Sequence, residues 1–242
     1  MQSLRALASA LSLFALSPIP ASAAVITFSG EDIMTTITSP HPISALASSN
    51  FTAATPGASV IDFESAPVGS FTSLLVAPGV TLTGTNTSIN NVPNFPTAPT
   101  LDGYNTTPSG AEYAEILGNV LTFHFTTPVQ AFGAYFSGLQ SNFFQDTVSF
   151  NDGTSQVINM PETGTSGSVG ALDFVGFTDF GASITSVSIT SGNGSGDFIG
   201  VDDVRFLPVP STTVPEPITV SIFGAGVAGV VTLRRRNKAK QA

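Results

Sequence analysis

Residues 120–127, VLTFHFTT, set the pattern for the chain. In an extended strand successive side chains point to opposite faces, so Leu121, Phe123 and Phe125 share one side and Thr122, His124 and Thr126 the other. Similar short β-rich runs occur at 24–28, 59–64, 79–84, 129–138, 146–152, 155–160, 184–190 and 198–206. Val148 and Phe150 flank Ser149, and Val187 and Ile189 flank Ser188, repeating the alternation. Turn sequences such as Asn151-Asp152-Gly153 and Ser191-Gly192-Asn193-Gly194 separate the runs. Gly, Pro, Ser, Thr and Asn interrupt nearly every window long enough for a helix, and none is expected between residues 24 and 206. Roughly nine or ten strands in one unit predict an all-β, antiparallel two-sheet β-sandwich of jelly-roll type. The 19 Phe and absence of Trp suit a core of aromatic and β-branched side chains. Residues 85–118, polar and rich in Pro and Asn, are expected to form a long loop or insertion.

Charge divides the chain sharply. Five of the seven basic residues (Arg234, Arg235, Arg236, Lys238 and Lys240) close the sequence, Arg5 opens it, and Arg205 is the single one in between. All 16 carboxylates lie from Glu31 to Glu216. An anionic body of this kind disfavours nucleic acid and anionic lipid as partners, and favours divalent cations or neutral glycans. Zero cysteines exclude disulfides and thiol chemistry.

The two ends read as targeting. MQSLR followed by ALASALSLFAL and then Ala21-Ser22-Ala23 has the charged, apolar and small-residue parts of an export signal, predicting a signal helix over residues 1–23. Residues 24–206 form the expected extracellular domain, and 207–217 a Pro/Ser/Thr-rich linker. Ile218 to Leu233 is a run of 16 uncharged, mostly apolar residues, expected to form one transmembrane helix. Such a helix spans about 24 Å, and flanking Arg and Lys snorkel to reach the interface. The basic tail, residues 234–242, then stays cytoplasmic.

Pro215-Glu216-Pro217, a short Gly/Ala-rich apolar helix and Arg234-Arg235-Arg236 together resemble a PEP-CTERM sorting signal. A tail of this kind also resembles the C-terminal segment named after ice-binding proteins. The resemblance implies that an exosortase recognises Pro215, Glu216 and Pro217 and removes the helix and tail. It implies a Gram-negative host that makes exopolysaccharide, and delivery from an inner-membrane precursor to the cell surface or extracellular matrix. The residues suit processing: the two prolines hold Glu216 extended, and Gly224, Gly226 and Gly229 weaken the following helix. A permanent anchor is the alternative.

Within the body, DFE at 62–64 and GVDDVRF at 200–206 resemble the opening and closing strands of PEP-CTERM β-sandwich proteins and, more distantly, of MAM-type jelly rolls. The resemblance implies that these strands lie together and that Asp62, Glu64, Asp202 and Asp203 approach a structural Ca²⁺. Calcium takes six to eight oxygens, so clustered acids without Lys or His suit it. Regular alternation would put Asp202 on one face with Val204 and Phe206, and Asp203 with Arg205. The competing expectation is that Asp62 and Glu64 are solvated and Asp203 pairs with Arg205.

Other patterns point to ordinary structure. Thr81, Thr83, Thr85 and Thr87 make one row, read as the polar face of a strand ending near Gly84 and Asn86. GNGSGD at 192–197 is a single turn-like copy of a calcium-repeat sequence, read as a hairpin turn. No catalytic residue is assigned: a G-x-S-x-G elbow is missing, His124 sits alone on a polar strand face, and Glu112 with Glu115 falls in the expected loop. The chain is therefore expected to be a non-catalytic surface or matrix protein, with exopolysaccharide as its candidate partner. The alternative is a secreted hydrolase acting on matrix polysaccharide.

Overall fold

The computed structural model of the chain describes residues 24–34, 38–91, 103–140, 145–161, 170–192 and 198–210. Its elements in chain order are β1 (Ile26–Ile33), α1 (Pro42–Ala54), β2 (Ser59–Ile61), β3 (Gly69–Ala77), β4 (Val80–Asn91), β5 (Glu112–Leu117) and β6 (Val120–Leu139). They continue with β7 (Thr147–Asn151), β8 (Ser155–Asn159), β9 (Ala171–Thr178), β10 (Ile184–Thr190) and β11 (Phe198–Pro208). Among the described residues the fold is all-β apart from one helix, and every strand pairing is antiparallel.

The alternation in VLTFHFTT holds. Leu121, Phe123 and Phe125 are buried, while His124 and Thr126 face solvent. The strand does not stop at Pro128, however. β6 runs for 20 residues and changes partners on either side of that proline. Its first half lies between β4 and β10 (Phe123 opposite Leu82 and Val187). Its second half lies between β9 and β11 (Phe132 opposite Phe177 and Phe206). Proline carries no N–H to donate, so the ladder is naturally interrupted there. The Pro128 carbonyl accepts the Val209 N–H at 2.8 Å instead.

β4 divides similarly: Val80–Gly84 pairs with β6, and Thr87–Asn91 with β5. Asn86 between them has φ of 53°, a left-handed turn of the backbone that redirects the strand. This breaks the threonine row. Thr85 is exposed, but Thr87 is buried and donates to the Phe71 carbonyl at 2.8 Å. The expected long loop over 85–118 is corrected at both ends, since β4 continues to Asn91 and Glu112–Leu117 forms β5. Glu112 and Glu115 are strand residues, three apart and so on opposite faces.

The core between these strands is built mainly from phenylalanine and branched aliphatics. Phe150 stacks on Phe177 with centroids 3.8 Å apart, and Phe123 meets Phe132 edge-on at 5.3 Å. β9, ALDFVGFT, is buried along its entire length because α1 covers the side turned from the main core. A strand covered on both sides shows no alternation of apolar and polar residues.

The helix itself contradicts the expectation of a helix-free body. Pro42 starts it, and its inward face is Ser44, Ala47, Ser48 and Phe51, at helical spacing. Its N-cap residue, His41, makes no side-chain cap. The cap comes from β1 instead: Asp32 accepts the N–H of Ile43 at 3.0 Å and of Ser44 at 2.7 Å. Glycines let the helix sit down. A Cβ on Gly176 would stand 2.9 Å from the Phe51 ring, and one on Gly30 2.5 Å from the Ile43 carbonyl oxygen. Burying Phe51 here contributes about 1.5–3 kcal/mol.

β11 extends through Pro208. Among the described residues no helix is long and apolar enough to cross a membrane. The expected signal (1–23), the sorting residues Pro215, Glu216, Pro217, Arg234, Arg235 and Arg236, and the apolar run 218–233 lie outside the described residues.

Candidate functional site

The first and last acidic motifs do come together. β2 pairs with β11, with Ile61 opposite Val204 and Ser59 opposite Phe206. Beyond Ile61 the chain turns at Phe63, whose φ of 59° drops its ring into the core and leaves Asp62 and Glu64 outside the strand. β11 holds one extra residue: Asp202 lies opposite Tyr135 and Arg205 opposite Gly133, three positions against two. Asp203 sits in this bulge at φ 47°.

The bulge overturns the simple alternation expected for GVDDVRF. Ile199 and Val201 face the main core before it, and Val204 and Phe206 after it. Asp202 therefore does not share a face with Val204 and Phe206. Arg205 is also placed elsewhere than expected: its guanidinium donates to the Ser48 hydroxyl at 2.7 Å and lies 5.9 Å from the ring centroids of Tyr135 and Phe174, rather than pairing with Asp203.

What the acids hold is one short segment, residues 103–112. Asp202 Oδ2 accepts the Thr106 N–H at 2.6 Å, the Thr107 N–H at 3.1 Å and the Thr106 hydroxyl at 3.0 Å. Its Oδ1 accepts the Asp203 N–H at 2.7 Å. Thr107 donates its hydroxyl to Asp203 at 3.1 Å. At the other end of the segment, Glu64 accepts the N–H groups of Ala111 and Glu112 at 2.9 and 3.0 Å and the Asn105 amide at 2.7 Å. Ser137 of β6 completes the attachment, accepting the Tyr104 N–H and donating to its carbonyl, both at 2.8 Å. Glu64 is thus not simply solvated. Asp62 is the exposed member, accepting the Glu64 N–H at 3.3 Å.

Asp202 is 1% exposed. Burial pushes its carboxyl up to about 7 and Asp203 adds to the shift, while the N–H groups of Thr106, Asp203 and Thr107 oppose it. Among the described residues no three His, Cys, Asp or Glu side chains converge as metal ligands. His124 is a strand residue whose Nε2 lies 2.8 Å from the Thr83 hydroxyl. A groove of about 420 Å³ lies beside the end of β11, lined by Val60, Pro78, Thr126 and Phe206 among others.

Asp62, Glu64, Asp202 and Asp203 are the acids singled out as calcium ligands; Asn105, Thr106 and Thr107, which donate to Glu64, Asp202 and Asp203, are not singled out. Their one signal was negative: short polar residues of a presumed loop, each able to donate to a carboxylate.

Residues 213–236 match the PEP-CTERM protein-sorting motif, and the chain carries that motif at its C-terminal end. No curated protein matches the chain in sequence. Among solved structures, the body is similar to the catalytic domain of a GH87 α-1,3-glucanase in complex with nigerose, at 20% identity and a TM-score of 0.30 over 57% of this chain. This chain covers 30% of that one. It is also similar to the carbohydrate-binding module TmCBM61 in complex with β-1,4-galactotriose, at 11% identity and a TM-score of 0.32, covering 62% of this chain and 95% of that one. At these scores neither likeness bears on what this chain does.

Proposed function

We propose that this is an exported protein, sorted and cut by an exosortase, whose body is a non-catalytic structural, adhesive or glycan-contacting module of the cell surface or extracellular matrix. The PEP-CTERM motif at 213–236 carries this reading. The body is read as a two-sheet, jelly-roll-like sandwich, supported by the way β6 exchanges one pair of neighbours for another at Pro128. The precursor is held in the inner membrane by residues 218–233 after the N-terminal signal directs export. Exopolysaccharide is the proposed partner, because a body with one Arg and no Lys meets neutral polymers without electrostatic cost. The test is retention of the chain on the host's own polysaccharide together with an assay for depolymerisation. Binding without chain shortening supports the module; chain shortening points to the matrix hydrolase instead.

A second reading concerns Asp62, Glu64, Asp202 and Asp203. Asp202 and Asp203 are adjacent carboxylates bridged by the Thr107 hydroxyl, and the nearby Arg205 is directed to Ser48. A structural Ca²⁺ drawing on these acids, peptide carbonyls and water would supply the missing positive charge.

A further inference from the structure

We propose that the groove beside the end of β11 is a sugar-binding site, which takes an uncharged sugar residue of a polysaccharide chain. This rests on the glycan-contacting reading above and gives that contact a place on the body.

Four strands and one turn build the groove. Phe125 of β6 and Phe206 of β11 line it with ring centroids 5.3 Å apart, beside Val80 of β4. The turn joining β3 to β4, Pro78-Gly79, supplies a wall. The Gly79 carbonyl accepts the Thr126 N–H at 2.9 Å and the Thr126 hydroxyl at 3.3 Å, which fastens that turn to β6. Gly79 has φ of 78°, and a Cβ there would stand 2.5 Å from Thr126 Oγ1, so the close approach needs glycine. β2 contributes Ser59 and Val60, and β11 contributes Pro208 next to the bond from Val209 to Pro128. The groove is therefore formed before any ligand arrives, which lowers the ordering cost of binding. Its volume of about 420 Å³ falls within the roughly 300–1,000 Å³ of small-molecule sites.

The chemistry of the lining selects the occupant. Among the described residues that line the groove there is no ionisable side chain, on a chain with 16 carboxylates. Ser59, Thr126 and Thr127 are exposed and bring three hydroxyls next to the apolar surface of Val60, Pro78 and Phe206. A sugar ring carries both matching surfaces: C–H groups on its faces and hydroxyls, each a donor and an acceptor, around its rim. Covering the first and pairing the second are separate favourable contributions. An acidic sugar or a phosphorylated ligand would find no cation to meet its charge. A lipid chain would cover the three hydroxyls without pairing them. An uncharged sugar meets both parts of the lining, and no charge has to leave water.

Affinity electrophoresis of the protein from its native host, in gels containing that host's purified exopolysaccharide, tests this. The variants are Val60→Asp, Thr127→Asp and Thr127→Lys at the groove, with Val157→Asp on β8 for comparison; β2 and β8 stand at opposite ends of the strand order. Val60 and Val157 are 54% and 60% exposed and Thr127 is exposed too, so all four variants should melt with the parent. The expected result is that each groove variant binds about tenfold more weakly, whereas Val157→Asp binds as the parent does. Parent binding that all three groove variants retain would overturn the groove and leave the glycan reading standing. Stronger binding by Thr127→Lys with weaker binding by Thr127→Asp would overturn the uncharged occupant in favour of an anionic one. No retardation of the parent would overturn this site and the glycan reading together.

Discussion

The Asp202 carboxylate and the Thr106 N–H, 96 positions apart in the chain, are joined at 2.6 Å inside the body. With the Thr107 and Asp203 amides, this carboxylate closes the segment at 103–112 onto β11. Replacing Asp202 with Ala leaves these donors without their acceptor, at about 1–3 kcal/mol for each one that stays buried. Local opening returns some of them to water, so the expected loss is about 3 kcal/mol. Denaturant titration should show a lower midpoint with an unchanged slope. Asp202→Asn keeps one oxygen and should lose less.

The pH dependence has a definite sign. In the folded chain Asp202 holds its proton up to about 7, whereas in the unfolded chain it releases it near 3.8. Its contribution to stability is complete below pH 3.8 and is lost as the pH rises through 7. Asp179 behaves the same way through about 6. Melting temperature in chelator should therefore fall between pH 5 and pH 8. Asp202→Asn should flatten the upper part of that fall; an identical slope in the parent and variant would show that Asp202 is not its source.

Calcium at Asp202 and Asp203 would act on the same window. An ion that binds only the folded state, at a hundred times its dissociation constant, adds about 2.7 kcal/mol. For a domain of this size that is a rise of roughly 5–10 °C in melting temperature. Asp203→Asn should remove most of that rise. Superimposable melts of the parent with calcium and with chelator would leave the 103–112 segment as the sole partner of these acids.

The helix seat offers a test of packing. Gly176→Ala pushes a methyl to within 2.9 Å of the Phe51 ring and should cost about 1–3 kcal/mol. Asp32→Ala removes the remote cap and should cost about 1–2 kcal/mol. Loss of helical signal at 222 nm before the main unfolding transition would show that α1 undocks by itself.

Much of the strand pattern was legible because one face of the first half of β6, of β7 and of β10 is more deeply buried than the other. Leu121-Thr122-Phe123 and Val187-Ser188-Ile189 say so directly. β9 was illegible because α1 covers its second face, and α1 because its cap, Asp32, comes from another element. β3 was illegible because Ser70, Thr72 and Leu75 are all exposed, so polarity does not follow its faces. At the acids, DFE and DDVRF identified the residues. The left-handed backbone at Phe63 and Asp203 then changed where they point, and nothing in those residue types announces a bulge. The hydrogen-bond donors came from a stretch whose composition reads as loop.

The central claim is that this chain is delivered through its PEP-CTERM motif, and intact-mass measurement of the protein from the surface of its native host tests it most directly. The expected species lacks Met1–Ala23 and everything from about Ile218 onward, and the Glu216→Ala variant is expected to stay in the inner membrane. Recovery of surface protein that still carries Arg234, Arg235 and Arg236 would contradict it and leave a permanent anchor.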